Sequence, residues 1–208
     1  MFILTKIADL VQIEPKHFSP FKPGYQALAD NINAKYANKV IQKIGHCICL
    51  YDILASSDGL IGSGTGLVNV NVEFRLIVFR PFKGEVMIGR ISSATVDGIY
   101  LRTHFFEDIW VPKGNLPEGS YYSPHEGCWV WKTGDAELFF DTQETVRFRV
   151  DEEDWHDQTP ISAQPPSNED DFAVKEKDVP YKIIATMEDA GLGPCLWWDG
   201  DDPMEEDA

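Results

Sequence analysis

The segment from Val68 to Val78 constrains the fold most, because apolar and polar residues alternate along it. The apolar members are Val68, Val70, Val72, Phe74, Leu76 and Val78, and the polar members are Asn69, Asn71, Glu73 and Arg75. Side chains of a strand point alternately to opposite faces, so the pattern predicts a strand with one buried side. Pro81, which cannot donate to a strand ladder, ends this strand.

One helix and two further strands are predicted before Pro81. Residues 2–13 and 44–54 are rich in aliphatic side chains and predict strands. Between them, apolar residues at spacings of three and four predict a helix, with the stripe Tyr25, Leu28, Ile32, Tyr36 and Val40. Residues 56–66, which hold four glycines, predict a loop.

Beyond Lys83 the predicted strands become short and closely spaced. They lie at residues 85–91, 99–101, 105–111, 129–131, 138–140 and 146–150. About five strands within about seventy residues favour a small closed barrel over an open sheet with exposed edges. The acidic, proline-containing stretch 151–180 predicts a disordered or loosely tethered loop, and residues 181–187 predict a strand that returns to the barrel.

The charge is distributed unevenly along the chain. The net charge is −16, yet residues 151–208 alone carry 18 acidic and 3 basic side chains. A uniformly acidic protein would repel nucleic acid. The first 150 residues are close to neutral, so their charge does not exclude nucleic-acid binding. Four cysteines without a C-x-x-C pair, and no apolar run of about 20 residues, predict an intracellular, reduced and soluble protein without a membrane span.

The motifs that would indicate catalysis or metal binding do not match. The run Gly62-Ser63-Gly64-Thr65-Gly66 leads into a strand without the Lys of a phosphate loop, so it predicts a hairpin tip. Cys47 and Cys49 are two apart on a predicted strand and should share a face, with His46 on the other, and no second zinc-ligand pair exists. The acidic groups Asp151–Asp154 and Asp199–Asp202 lack EF-hand spacing. We therefore predict no catalytic residue, metal or cofactor.

The predicted barrel contains the one group of residues in this sequence that suggests a ligand. Small five-stranded barrels bind single-stranded nucleic acid through aromatic side chains flanked by Lys or Arg. The candidates are Lys83, Arg90, Tyr100, Arg102, His104, Phe105, Phe106 and Lys113. Strand alternation sends about half of such aromatics into the core, so we expect two or three exposed stacking groups at most.

The order of these parts resembles the stalk subunits of archaeal and eukaryotic RNA polymerases. The similarity is carried by Met1–Ile13 and by Val70–Glu85, where a long strand runs through Pro-Phe-Lys-Gly-Glu into the barrel. It extends over residues 1–150. Within the family the sequence most resembles the RNA polymerase III member, because of the Met-Phe-Ile-Leu opening, the run Gly127–Trp131 and an acidic insertion before Trp197-Trp198.

The resemblance implies an α+β, β-rich architecture in two domains. Residues 1–80 would form a truncated ribonucleoprotein-like tip domain. Residues 82–208 would form an S1-type OB barrel with the acidic insertion at about 151–180. The glycines Gly62, Gly64 and Gly66 would lie where the family's tip contacts the polymerase core, and the S1-type face would map onto Tyr100, His104, Phe105 and Lys113.

The same resemblance implies a non-catalytic, nuclear subunit. It would pair with a small helical partner, dock on RNA polymerase III core subunits near the RNA exit, and support initiation. Nascent single-stranded RNA and a basic initiation factor that meets the acidic segment are further expected partners. The alternative from the residues alone is a free-standing S1-type protein that binds single-stranded RNA.

Overall fold

A computed structural model describes residues 1–17, 24–134, 136–157 and 179–198. The chain divides after Pro81 into two units. Residues 158–178 of the loop predicted at 151–180, and the acidic group Asp199–Asp202, lie outside the described residues. No helix among the described residues is long and apolar enough to cross a membrane.

The described residues of the first unit form an antiparallel sheet and one α-helix. Its elements are β1 (Phe2–Ile13), α1 (Gly24–Tyr36), β2 (Lys39–Ile41), β3 (Gly45–Ser56), β4 (Leu60–Ile61) and β5 (Val68–Phe79). The strand order is β1-β5-β3-β2, and the short β4 also pairs with β5. The alternating segment is therefore confirmed as a strand, and it occupies the centre of the sheet.

The core of this unit lies on one face of β5. Val70, Val72, Phe74, Leu76 and Val78 are all buried there, and helix α1 contributes to the same cluster. The helical members are Ala27, Leu28 and Ile32. The polar residues of β5 face the other way, as the period of two requires.

Helix α1 ends earlier than the apolar stripe predicted. It stops at Tyr36, and Asn38 adopts a left-handed conformation with φ of 57°. Val40 lies in strand β2, opposite His46, so its place in the helical stripe was wrong. Asn tolerates the left-handed region better than most residues, which allows the chain to turn here.

The two cysteines of β3 do not share a face. Cys47 pairs with Val78 and Cys49 pairs with Ile77, because the register of β3 against β5 shifts between them. Val78 and Ile77 are neighbours in a strand and point to opposite faces, so the paired cysteines do too. The prediction from their spacing was wrong because a β-bulge adds one residue to β3.

The described residues of the second unit form nine strands in two sheets. They are β6 (Val86–Thr95), β7 (Gly98–Arg102), β8 (Ile109–Pro112), β9 (Ser120–Ser123), β10 (Cys128–Thr133), β11 (Ala136–Phe140), β12 (Thr145–Trp155), β13 (Tyr181–Thr186) and β14 (Gly193–Pro194). The larger sheet runs β13-β8-β7-β6-β12-β14, and β13 also pairs with β12. This last pairing closes a five-stranded barrel, so the predicted α+β, β-rich architecture with a barrel is confirmed.

The inside of the barrel is filled by large apolar side chains. Ile91, Ile99, Leu101, Ile109, Phe148, Tyr181 and Ile183 have no exposed surface. A barrel of five strands has room for side chains only, so it has a packed core and no internal channel. The smaller sheet, β11-β10-β9, carries Phe140 and Trp131 against Trp197 near the end of the described chain.

Two predicted boundaries in this unit were wrong. Strand β8 begins at Ile109, so Phe105 lies in a turn before it. The acidic group Asp151–Asp154 belongs to strand β12 and pairs with β13, so it is not part of a loop. A charged strand is possible here because only one face of β12 is directed at the barrel core.

Candidate nucleic-acid interface

The outer surface of strands β6, β7 and β8 brings several candidate residues together. Ile99 and Leu101 of β7 are fully buried, so the residues that alternate with them, Tyr100 and Arg102, point out of the barrel. On β8, buried Ile109 and Val111 likewise direct Trp110 outward.

Tyr100 and Trp110 form an aromatic platform on this surface. Their ring centroids are 4.2 Å apart and the rings are tilted by 46°. Lys182 of β13 lies over both rings, with its ammonium nitrogen 5.8 Å from the Tyr100 centroid and 5.2 Å from the Trp110 centroid. Paired rings with a cation beside them are the arrangement that holds stacked bases and their phosphates.

A polar cavity of about 360 Å³ lies beside the platform, and we call it the arginine pocket. Arg90, Arg102 and His104 line it, together with Thr145 and Glu107. Arg90 and Arg102 are directly opposite each other on β6 and β7. The Arg102 guanidinium donates a hydrogen bond of 2.6 Å to the Gln143 side-chain oxygen.

The other predicted candidates lie apart from this pocket or inside the core. Phe106 is only 3% exposed and its ring packs 5.5 Å from that of Tyr181, so a base cannot stack on it. Phe105 is partly exposed in the turn before β8. Lys113 is exposed in a short 3-10 turn after β8, and Lys83 forms an exposed ion pair of 3.4 Å with Asp151.

Sequence reasoning missed two residues of the platform, Trp110 and Lys182. Both alternate with buried apolar neighbours, Ile109 and Val111 for the first, Tyr181 and Ile183 for the second. Alternation marks both side chains as outward-facing, but it does not show that the two lie together. The predicted strand 105–111 had no clear alternation, and this concealed the outward position of Trp110.

A second exposed feature, the apolar hairpin, comprises β4, the glycine run and the start of β5. The Gly62 amide donates a hydrogen bond of 2.8 Å to the Leu67 carbonyl, which closes the turn. Gly64 and Gly66 have φ of 83° and 68°, a conformation that glycine adopts without strain. The glycine run leads into strand β5, which agrees with the prediction of a hairpin tip. Beside the run, Leu60 and Ile61 are 71% and 76% exposed.

Metal and thiol chemistry find no support in the described residues. No group of three or more His, Cys, Asp or Glu side chains there could hold a metal ion. All four cysteines are free thiols. Burial raises the pKa of the Cys47 thiol to about 11, with a smaller contribution from the neighbouring Cys49, so Cys47 stays protonated and unreactive.

Comparison with known protein families assigns both units. Residues 85–198, more than half of the chain, match the family described as RNA polymerase III subunit Rpc25. Residues 8–66 match the SHS2 domain found in the N terminus of Rpb7p, Rpc25p and MJ0397. The first unit is thus an SHS2 domain, and the barrel belongs to the Rpc25 type.

Relatives from several eukaryotes match over nearly the whole length. The chain is 42% identical to the DNA-directed RNA polymerase III subunit rpc8 of Schizosaccharomyces pombe, over 95% of this chain and 100% of the relative. It is 36% identical to RPC8 of Saccharomyces cerevisiae (96% and 100% covered) and 34% identical to RPC8 of Bos taurus (95% and 98% covered). The chain therefore belongs to the Rpc25/RPC8 family of RNA polymerase III subunits.

Proposed function

We propose that this chain is a non-catalytic stalk subunit of nuclear RNA polymerase III that also holds nascent single-stranded RNA. In this role it pairs with a small helical partner, docks on the polymerase core and supports initiation. The family assignment supports the place in the enzyme. The observation that carries RNA binding is the aromatic platform of Tyr100 and Trp110 with Lys182 beside it.

The platform suits RNA because it contacts the two parts that all nucleotides share, an aromatic base and a phosphate. Stacking of a base on an aromatic ring contributes about 1–3 kcal/mol and tolerates any base. The Lys182 ammonium and the Arg102 guanidinium lie on the same outer surface and attract backbone phosphates. The expected RNA binding is weak, tolerant of sequence and sensitive to salt. These properties suit a transcript that must move as it grows.

Docking on the core is assigned to the apolar hairpin. Leu60 and Ile61 expose a larger fraction of their surface than any other large apolar side chain in the described part of the chain except Leu196. Exposed apolar side chains at a tip favour burial against another protein. Gly62, Gly64 and Gly66 keep the tip narrow, so a partner's backbone can approach it closely.

The acidic residues of 151–208 are proposed to meet a basic initiation factor. Their net charge is opposite to that of the Lys- and Arg-rich surface that such a factor would present. Deletion of residues 158–178 should then weaken binding of the factor at low salt more than at high salt. A deletion that leaves both the affinity and its salt dependence unchanged would contradict the charge argument.

The first experiment is affinity purification of the tagged chain from its native cells at moderate salt, with mass spectrometry of the proteins recovered. Recovery of RNA polymerase III core subunits together with a small helical protein is the expected result. A chain that purifies alone, or with RNA only, would contradict the stalk assignment and favour the free-standing RNA-binding protein.

The second experiment measures RNA affinity of the full chain by fluorescence anisotropy. Replacing both rings (Tyr100→Ala with Trp110→Ala) should weaken binding of single-stranded RNA by at least about tenfold. Tyr121→Ala is the matched control, because Tyr121 is an exposed aromatic on the separate sheet β11-β10-β9. Equal loss in the control, or no loss in the double variant, would rule out the platform.

A further inference from the structure

The arginine pocket contains an electrostatic conflict between Arg90 and Arg102. The two residues are directly opposite each other in the β6–β7 ladder. Like charges directly opposite each other destabilise a sheet. Within residues 1–17, 24–134, 136–157 and 179–198, neither guanidinium forms an ion pair, and the neutral Gln143 amide is the hydrogen-bond partner of Arg102. Two facing guanidinium groups that form no ion pair within these residues repel each other.

The surroundings of the two arginines suit an anion with several oxygens. The cavity of about 360 Å³ also presents the Thr145 hydroxyl and the His104 ring. Among the described residues that line it, Glu107 is the one carboxylate, so the two guanidinium groups leave an excess of positive charge. Guanidinium groups bind phosphate through paired, charge-assisted hydrogen bonds, and a threonine hydroxyl adds one more donor.

We propose that the arginine pocket binds a terminal phosphate of single-stranded RNA, whose adjacent base lies on the platform of Tyr100 and Trp110. This inference rests on the proposed RNA-binding function. A terminal phosphate carries almost two negative charges and three free oxygens at neutral pH, whereas an internal phosphate carries one charge and two such oxygens. Two opposed arginines therefore favour the chain end over the backbone.

The spacing along β7 places the phosphate and the base correctly. Tyr100 and Arg102 are two residues apart on the same outward face, a separation of about 7 Å along a strand. Trp110 lies opposite Tyr100 in the ladder and extends the stacking surface away from the pocket. A nucleotide with its phosphate between the arginines thus reaches the platform with its base.

The test compares one RNA sequence with three different ends: a 5′-monophosphate, a 3′-phosphate and hydroxyl groups only. The fluorophore is attached to the unmodified end, and affinities for the full chain are measured at one fixed salt concentration. We expect one phosphorylated end to bind about tenfold more tightly than the hydroxyl ends. Which end is preferred identifies whether the 5′ or the 3′ terminus enters the pocket.

Single substitutions test whether the preference for a phosphorylated end comes from the arginine pocket. Arg90→Gln and Arg102→Gln should each abolish the preference for a phosphorylated end, while Lys132→Gln, which removes the same charge from β10, should keep it. Inorganic phosphate should raise the melting temperature of the original chain and leave that of the two arginine variants unchanged. This second readout reports the pocket even if a variant binds RNA poorly for another reason.

The possible failures are distinguishable. If all three RNAs bind equally and Tyr100→Ala weakens them equally, the RNA surface stands and the terminal-phosphate site is refuted. If none of the RNAs binds, the proposed RNA function fails and this inference fails with it. If a phosphate-free acidic peptide displaces the phosphorylated RNA as effectively as inorganic phosphate does, the pocket binds anionic protein segments and the inference is overturned.

Discussion

The Tyr36 hydroxyl donates a hydrogen bond of 2.6 Å to the Asp9 carboxylate, which joins the end of helix α1 to strand β1. Lys35 forms an ion pair with the same carboxylate oxygen. Burial alone would raise the pKa of Asp9, but the hydrogen bonds from Lys35 and Tyr36 outweigh it and lower the pKa below its usual range. Asp9 is therefore an ionised anchor for the helix.

This anchor predicts a loss of stability in acid. Because the folded-state pKa of Asp9 is below its unfolded value, its contribution is complete above the ordinary value of 3.8 and is lost as the pH falls through the folded pKa. Asp9→Asn should lower the free energy of unfolding by about 1 kcal/mol at neutral pH. It should also flatten the decline below about pH 4, as measured by urea denaturation across the range.

Glu73→Gln is the control for this prediction, because it removes the exposed ion pair with Lys6 on the same sheet. Exposed pairs contribute little, so this variant should retain the acid-dependent decline. Identical pH profiles for the original chain and Asp9→Asn would contradict the role of Asp9.

A second prediction concerns the tight turn between β6 and β7. A Cβ atom on Gly98 would lie 2.2 Å from the Val111 carbonyl oxygen and 2.9 Å from the Trp110 ring. Gly98→Ala should therefore destabilise the protein by about 1–3 kcal/mol or more. Gly114→Ala is the control, because nothing lies within 4 Å of its Cβ position. Equal denaturation midpoints for the two variants would show that β8 can move aside.

A third prediction concerns the order in which the thiols react. Cys47 and Cys128 are buried, whereas Cys49 and Cys195 are partly exposed. Burial raises the pKa of both buried thiols, with smaller contributions from nearby charges. Alkylation followed by peptide mass mapping should label Cys49 and Cys195 first, and all four thiols only in denaturant. Early labelling of Cys47 would mean that the first unit opens easily.

A fourth prediction tests the apolar hairpin directly. The double substitution Leu60→Ser and Ile61→Ser should reduce recovery of polymerase subunits with the tagged chain, because burial of each side chain contributes about 1.5–3 kcal/mol. The thermal stability of the isolated chain should change little, since both side chains are exposed. Val96→Ser with Leu196→Ser alters two apolar residues elsewhere that are 65% and 78% exposed, and it should leave recovery unchanged.

Much of the architecture was predictable from local patterns. The alternation of β5 revealed its buried face, and the segment 99–101, predicted as a strand, lies within β7. The helix boundary was not predictable from the stripe, because Val40 continues the helical spacing while it pairs with His46 in a sheet. Pairing partners distant in sequence decide such cases, and periodicity does not encode them.

The candidate site was predicted only in part. Tyr100, Arg90, Arg102 and His104 were identified, and the structure brings the last three to one cavity. Phe106 was included as one of the barrel aromatics, about half of which were expected to be in the core, and its ring packs against that of the distant Tyr181. Lys182 was missed because it reaches the platform from β13, a strand some seventy residues further along the chain than β8.

The strand that closes the barrel also determines when the barrel can form. Strand β13 pairs with β12 on one side and runs parallel to β8 on the other. Synthesis proceeds at about 5–20 residues per second, and the other four strands of the barrel emerge first. Until β13 follows, the barrel-facing edges of β8 and β12 remain unpaired. The first unit, complete at Pro81, has no such delay. Until β13 has left the ribosome, the nascent chain therefore displays an open sheet whose edges are available to chaperones.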